Sequence, residues 1–72
     1  MAMLNVASLL KHLDEIRLIL LDKKLDVLAI NETRLDSTIS DGLVSVDGYN
    51  VIRADRNRNG GGVCIYIRRH VN

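Results

Sequence analysis

A chain of 72 residues with one cysteine, no Phe, Trp or Pro, and a net charge of +1 at pH 7 has room for one domain and no internal disulfide. Such a chain buries only about 60% of its unfolded surface, so its core is small. A lone cysteine argues for a reducing, intracellular setting and against a secreted disulfide scaffold. The charge is uneven. Residues 1–50 carry five basic and eight acidic side chains, whereas residues 51–72 carry five Arg and one Asp. That basic end suits a phosphate backbone, or simply a solvated face. Tyr49 and Tyr66 are the only aromatic residues, which argues against a stacking platform for single strands.

In chain order, Met3 to Val6 reads as a short first strand. The opening Met1-Ala2-Met3-Leu4 has neither the basic region nor the small-residue cleavage site of a signal peptide. Ser8 is placed to cap a helix. Leu9, Leu10, Leu13, Ile16, Ile19 and Leu20 recur at helical spacing, with Lys11, Asp14, Glu15 and Arg17 on the other side. The pattern predicts a helix from about Leu9 to Asp22. The same charges interrupt the apolar stretch well short of the ~20 residues needed to span a membrane. Leu25 to Ile30 is a short apolar run and predicts a buried parallel strand. Strand, helix and strand make one right-handed βαβ unit.

Asp36 to Gly48 is rich in Ser, Thr, Asp and Gly and reads as a loop, with Asp47-Gly48 as a turn pair. Tyr49 to Arg53 alternates weakly and predicts a strand. Val63 to Arg68 is β-branched and aromatic and predicts another. The polar stretch Asn57–Gly62 between them predicts an antiparallel hairpin. Gly60-Gly61-Gly62 is no phosphate cradle, because no helix and no Lys-Ser/Thr pair follows. Cys64 lies within an apolar strand and reads as a small buried hydrophobe. The expected fold class is α/β: part of a β-sandwich, with a β-α-β unit followed by a β-hairpin.

The residue that carries most chemistry is Glu32. It follows the apolar run with only Asn31 between, at the carboxyl end of the second strand, where ligands collect in open α/β sheets. A βαβ unit brings the carboxyl end of the first strand, at Asn5, to the same edge. An amide oxygen and a carboxylate are hard ligands, suited to Mg²⁺ and not to zinc.

These pieces resemble a family in their order and spacing. They comprise Asn5 in a short strand, Ser8-Leu9 opening a helix, the run Asp26 to Leu35 with Glu32-Thr33-Arg34 at its end, Gly48-Tyr49, Arg53-Ala54-Asp55-Arg56, and Gly60-Gly61-Gly62-Val63. Together they look like the endonuclease/exonuclease/phosphatase superfamily. Within it they are similar to the endonuclease domain of LINE-type (non-LTR) retrotransposons, relatives of the apurinic/apyrimidinic endonucleases. The resemblance runs nearly end to end along the chain. It implies Glu32 as the principal Mg²⁺ ligand, Asn5 as the residue that helps hold metal and water, and DNA as partner. It implies phosphate contacts from Arg53, Arg56 and Arg58, Asp55-Arg56 as support for the DNA-binding side, and a nuclear setting. The implied reaction is hydrolysis of a phosphodiester, with the metal stabilising charge on the scissile phosphate.

The departures are as definite. The family's domain is much longer. Its later motifs supply a Tyr, an Asp-x-Asn pair, a further Asp and a terminal Ser-Asp-His, none of which occurs here, and neither His12 nor His70 replaces the catalytic His. Ala7 stands where many relatives have Arg. Residues 1–72 therefore read as an N-terminal fragment of such a domain, inactive alone and weak in Mg²⁺ binding. Its inner sheet face is expected to lie open and to drive self-association into a homo-oligomer. The alternative is a non-catalytic, self-associating α/β module that binds nucleic acid weakly through its basic C-terminal half.

Overall fold

The computed structural model describes residues 2–23, 25–56 and 61–69. The first strand, β1, spans Ala2–Asn5. A single 3₁₀ turn, Leu10–His12, leads into helix α1, Leu13–Lys23. Strand β2 is Val27–Asn31. A one-turn helix, α2, spans Asp41–Val44. Strands β3, Tyr49–Ala54, and β4, Val63–Arg68, form the antiparallel hairpin expected from their alternation.

The strands make one sheet in the order β1-β2-β4-β3. β1 and β2 are parallel, with Asn5 opposite Asn31. β2 and β4 are antiparallel, with Ile30 opposite Cys64 and Leu28 opposite Tyr66. This is the mixed α/β arrangement expected from the sequence: a βαβ unit extended by a hairpin.

The core lies between α1 and one face of the sheet. Leu13, Ile16 and Leu20 recur on one side of the helix and are buried against Leu28 and Ile30 of β2 and Cys64 and Tyr66 of β4. Each fully buried Leu or Ile contributes about 2 kcal/mol by leaving water. The two tyrosines do the work of the missing Phe and Trp. Tyr66 is fully buried and donates to the Val44 carbonyl at 2.5 Å. The Tyr49 hydroxyl lies 2.6 Å from the Leu25 carbonyl and 3.1 Å from that of Leu20, tying the end of α1 to β3. Both rings are therefore committed to the core.

Two local expectations are corrected. Ser8 does not cap the helix. Leu9 occupies the cap position with helical angles and no side-chain cap bond. Its N–H is instead satisfied by the Thr33 carbonyl at 2.9 Å, so the start of the helix is fixed by tertiary structure. The 36–48 segment is also not wholly irregular, because it contains α2. A single turn is too short to show helical periodicity, and it is held by Leu43 N–H bonding Ser40 and by burial of Val44.

The opposite face of the sheet has a different character. Alternation along the strands places Met3, Val27, Ala29, Ile52, Ile65 and Ile67 there, and Met3 and Ile52 are 62% and 56% exposed. Among the described residues the helices and the 32–46 segment pack with Tyr66, on the core side.

Candidate metal centre

The carboxyl ends of β1 and β2 meet at one edge of the sheet. Register puts Asn5 beside Asn31, and Glu32 is the next residue. Val6 N–H extends the parallel ladder by bonding the Asn31 carbonyl at 3.2 Å. Glu32 is half-buried and Asn5 exposed. The spacing of apolar run and carboxylate thus brings Asn5 and Glu32 to the same edge, as the βαβ argument requires. Asn5 also lines a groove of about 280 Å³ with His12, Glu15 and Ile16. In that groove, His12 Nδ1 lies 3.5 Å from Glu15.

The backbone at this edge is unusual. Ala7, Glu32 and Arg34 have φ of +55°, +57° and +54°, and they are the non-glycine residues with positive φ among those described. For an L-residue this conformation costs about 1–2 kcal/mol. All three flank the ends of β1 and β2. Strain of this kind persists only where surrounding contacts over-determine it, and it concentrates at functional sites.

Those contacts come from both sides. Glu32 N–H donates to the Gly62 carbonyl at 2.9 Å, Thr33 N–H to the same oxygen at 3.4 Å, and Arg34 N–H to the Gly61 carbonyl at 3.1 Å. On the other side the Thr33 carbonyl accepts from Leu9. The glycine turn before β4 and the loop after β1 therefore grip the Glu32-Thr33-Arg34 segment between them. The glycines are needed here for their backbone and not as a phosphate cradle.

Arg53, expected at a phosphate, is fully engaged inside the protein. Its side chain is 10% exposed. Its guanidinium pairs with Asp55 at 2.5 Å and with Asp41 at 3.0 Å, and donates to the carbonyls of Ile39 and Asp36 at 2.6 and 3.0 Å. The hydrogen bond to Asp55, with a smaller contribution from Asp41, raises its pKa further against the opposing effect of burial. Arg53 thus fastens the 36–41 segment to β3. Arg56 is exposed, forms no ion pair among the described residues, and lays its side chain along Gly61. Arg58 and the turn residues 57–60 lie outside the described residues, as does His70.

Sequence reasoning passed over two cations. Lys11 and Arg34 line one groove of about 350 Å³ with Ser8, next to the Glu32 segment. Lys11 was readable only as a solvated helix charge, and Arg34 only as part of the quoted run. Their convergence depends on the tertiary docking of Leu9 onto Thr33. Among the described residues, no group of three or more His, Cys, Asp or Glu side chains converges as a metal cage. The donor set at the edge is one carboxylate and one amide. It fits a hard cation that keeps most of its waters and does not fit zinc.

No family model matches this chain, and no curated protein does. Solved structures do. The chain is similar to AP endonuclease LMAP from Leishmania major, with 28% identity and a TM-score of 0.78 over 94% of this chain and 23% of that protein. It is also similar in fold to an AP endonuclease from Archaeoglobus fulgidus, with 24% identity and a TM-score of 0.75 over 90% of this chain and 25% of that one. The 72 residues thus span about a quarter of the length of each. The fold is AP-endonuclease-like, and the resemblance is to nucleases. No helix among the described residues is long and apolar enough to cross a membrane.

Proposed function

We propose that residues 1–72 are the metal-holding N-terminal portion of a Mg²⁺-dependent DNA endonuclease domain of the LINE retrotransposon type, acting on DNA in the nucleus. The observation that carries this reading is the strained, doubly gripped backbone at Glu32, on the same edge as Asn5, within an AP-endonuclease-like fold. Glu32 is the proposed principal ligand and Asn5 the second. When bound, Mg²⁺ supplies charge neutralisation at a scissile phosphate. The protein's own part is to fix the Glu32 carboxylate at the sheet edge and to surround it with cations. Arg56 and Arg58 are proposed to contact the DNA backbone, with Lys11 and Arg34 adding positive charge beside Glu32. Arg53 contributes indirectly, by pairing with Asp55, the residue before Arg56.

The groups that would supply a general base and the remaining phosphate contacts are not in this sequence, so the isolated chain is proposed to bind DNA without cutting it. The exposed apolar sheet face supports a second reading: a self-associating module whose nucleic-acid affinity is all that remains. Fluorescence anisotropy with duplex DNA over a salt series, run beside a supercoiled-plasmid nicking assay, tests both. Binding that weakens steeply with salt, and that drops in Arg56→Ala, is expected without nicking. Binding indifferent to salt and to Arg56→Ala would remove the nucleic-acid assignment. Mg²⁺-dependent nicking abolished in Glu32→Ala would overturn the claim of inactivity.

A further inference from the structure

Thr33 is the one buried polar side chain among the described residues, fully excluded from solvent, and its Oγ1 has no hydrogen-bond partner there. A buried hydroxyl in that condition is unfavourable, because it has given up water and gained no partner. It is aimed at Gly62. A Cβ at Gly62 would stand 2.7 Å from Thr33 Oγ1, closer than real Cβ contacts come. Gly62 itself has φ +86°, and its carbonyl accepts from both Glu32 and Thr33.

Resting on the reading of Glu32 as a metal ligand, we infer that Gly62 is a positioning residue for Glu32, and that the buried Thr33 hydroxyl is the surface against which it docks. The glycine does two things that no other residue could do together. It adopts the left-handed conformation that turns its carbonyl toward the Glu32 amide. It also leaves the space that Thr33 fills. Bringing the chain this close is what holds Glu32 at φ +57°, because the 2.9 Å bond to Gly62 fixes its N–H on one side and the Leu9–Thr33 bond anchors the next residue on the other. A side chain at Gly62 would push the turn away from a hydroxyl buried too deeply to step aside, and the Glu32 segment would relax toward ordinary backbone angles.

Gly61 and Gly48 serve as internal comparisons. Gly61 has φ +79°, and an added Cβ there meets the stem of Arg56, with Cδ at 2.7 Å and Cβ at 3.3 Å, so it is a crowded position in its own right. Gly48 has φ +85° with nothing within 4 Å. Gly48→Ala therefore carries the conformational penalty alone, whereas Gly62→Ala carries that penalty plus the clash.

The test uses the ¹⁵N-labelled 72-residue chain and its Gly62→Ala, Gly48→Ala and Thr33→Ala/Gly62→Ala variants. Two readouts are followed: exchange protection of the Glu32 and Arg34 amides, and broadening of Asn5, Asn31 and Glu32 signals by Mn²⁺. Gly62→Ala is expected to strip protection from the two amides and to weaken apparent Mn²⁺ affinity about tenfold, as loss of an outer-shell support does. Removing the Thr33 hydroxyl in the same background should recover most of both. Gly48→Ala should leave both unchanged. Equal effects from Gly62→Ala and Gly48→Ala, or no recovery in the double variant, would overturn the inference. If the unsubstituted chain shows no Mn²⁺ broadening near Glu32, the metal reading fails instead, and the amide protection alone still decides whether Gly62 positions this segment.

Discussion

Arg53 shows how a residue's chemistry is decided by what the fold brings to it. In the sequence it stands in a basic run and looks like a phosphate contact. In the structure Asp36, Ile39, Asp41 and Asp55 close around it and use its donors. Nothing local in residues 36–41 announces that they return to β3. Removing Arg53 would leave the part-buried carbonyls of Asp36 and Ile39 without their donor, while Asp41, 71% exposed, would rehydrate. Arg53→Ala is expected to cost about 1–2 kcal/mol, mostly from those carbonyls, and Arg53→Lys should not recover it, since a point charge cannot fill a planar fork. Urea unfolding of the two variants checks both; an unchanged midpoint in Arg53→Ala would return the side chain to solvent and to phosphate binding. Glu32 is the contrasting case. Its place at the end of an apolar run was legible, whereas its left-handed backbone was not, because φ +57° is imposed by Gly62 and not by any preference of glutamate.

At the scale of elements, the helix and strands followed from periodicity, and their ends did not. The 3₁₀ turn that leads into α1 begins where Leu9 docks on Thr33, a contact between segments far apart in sequence. Helix α2 is a single turn held by burial of Val44 and by the Tyr66 hydroxyl. Strand β4 has a further consequence for pH. Burial pushes the Cys64 thiol from 9.0 up to about 11, partly offset by Arg53, and burial likewise raises the Tyr66 phenol. In the unfolded chain both groups ionise earlier, so above their ordinary values the unfolded state holds fewer protons than the native one, and stability falls as pH rises. Stability should therefore be insensitive to these groups at pH 7 and decline from about pH 9. For Cys64 that decline ends near pH 11 and amounts to about 2–3 kcal/mol. Urea midpoints measured under reducing conditions from pH 7 to 11 should show this slope, and Cys64→Ala should flatten part of it. An equal slope in the variant would mean that the thiol is not protected in the native state.

Among the described residues the molecule is one sheet with its helices packed on one side. The apolar residues of the other face, and the free edges of β1 and β3, were foreseeable from a chain that resembles only part of a sandwich. We propose that the face carrying Met3, Val27, Ile52, Ile65 and Ile67 is a surface for association. The 72-residue chain is expected to elute as a dimer or larger species, and Ile52→Lys, which charges an exposed point of that face, should shift it toward monomer without loss of helix. A wild-type monomer at high concentration would show that the face tolerates water.

The carboxyl edge of β1 and β2 is proposed to hold a hard divalent cation, and the decisive measurement is Mn²⁺ titration of the ¹⁵N-labelled chain beside Asn5→Ala and Glu32→Ala. Broadening is expected to centre on Asn5, Asn31 and Glu32, to be displaced by excess Mg²⁺, to weaken in Asn5→Ala and to be lost in Glu32→Ala. Broadening centred on the helix acids Asp14 and Glu15, or unaltered by Glu32→Ala, would contradict it.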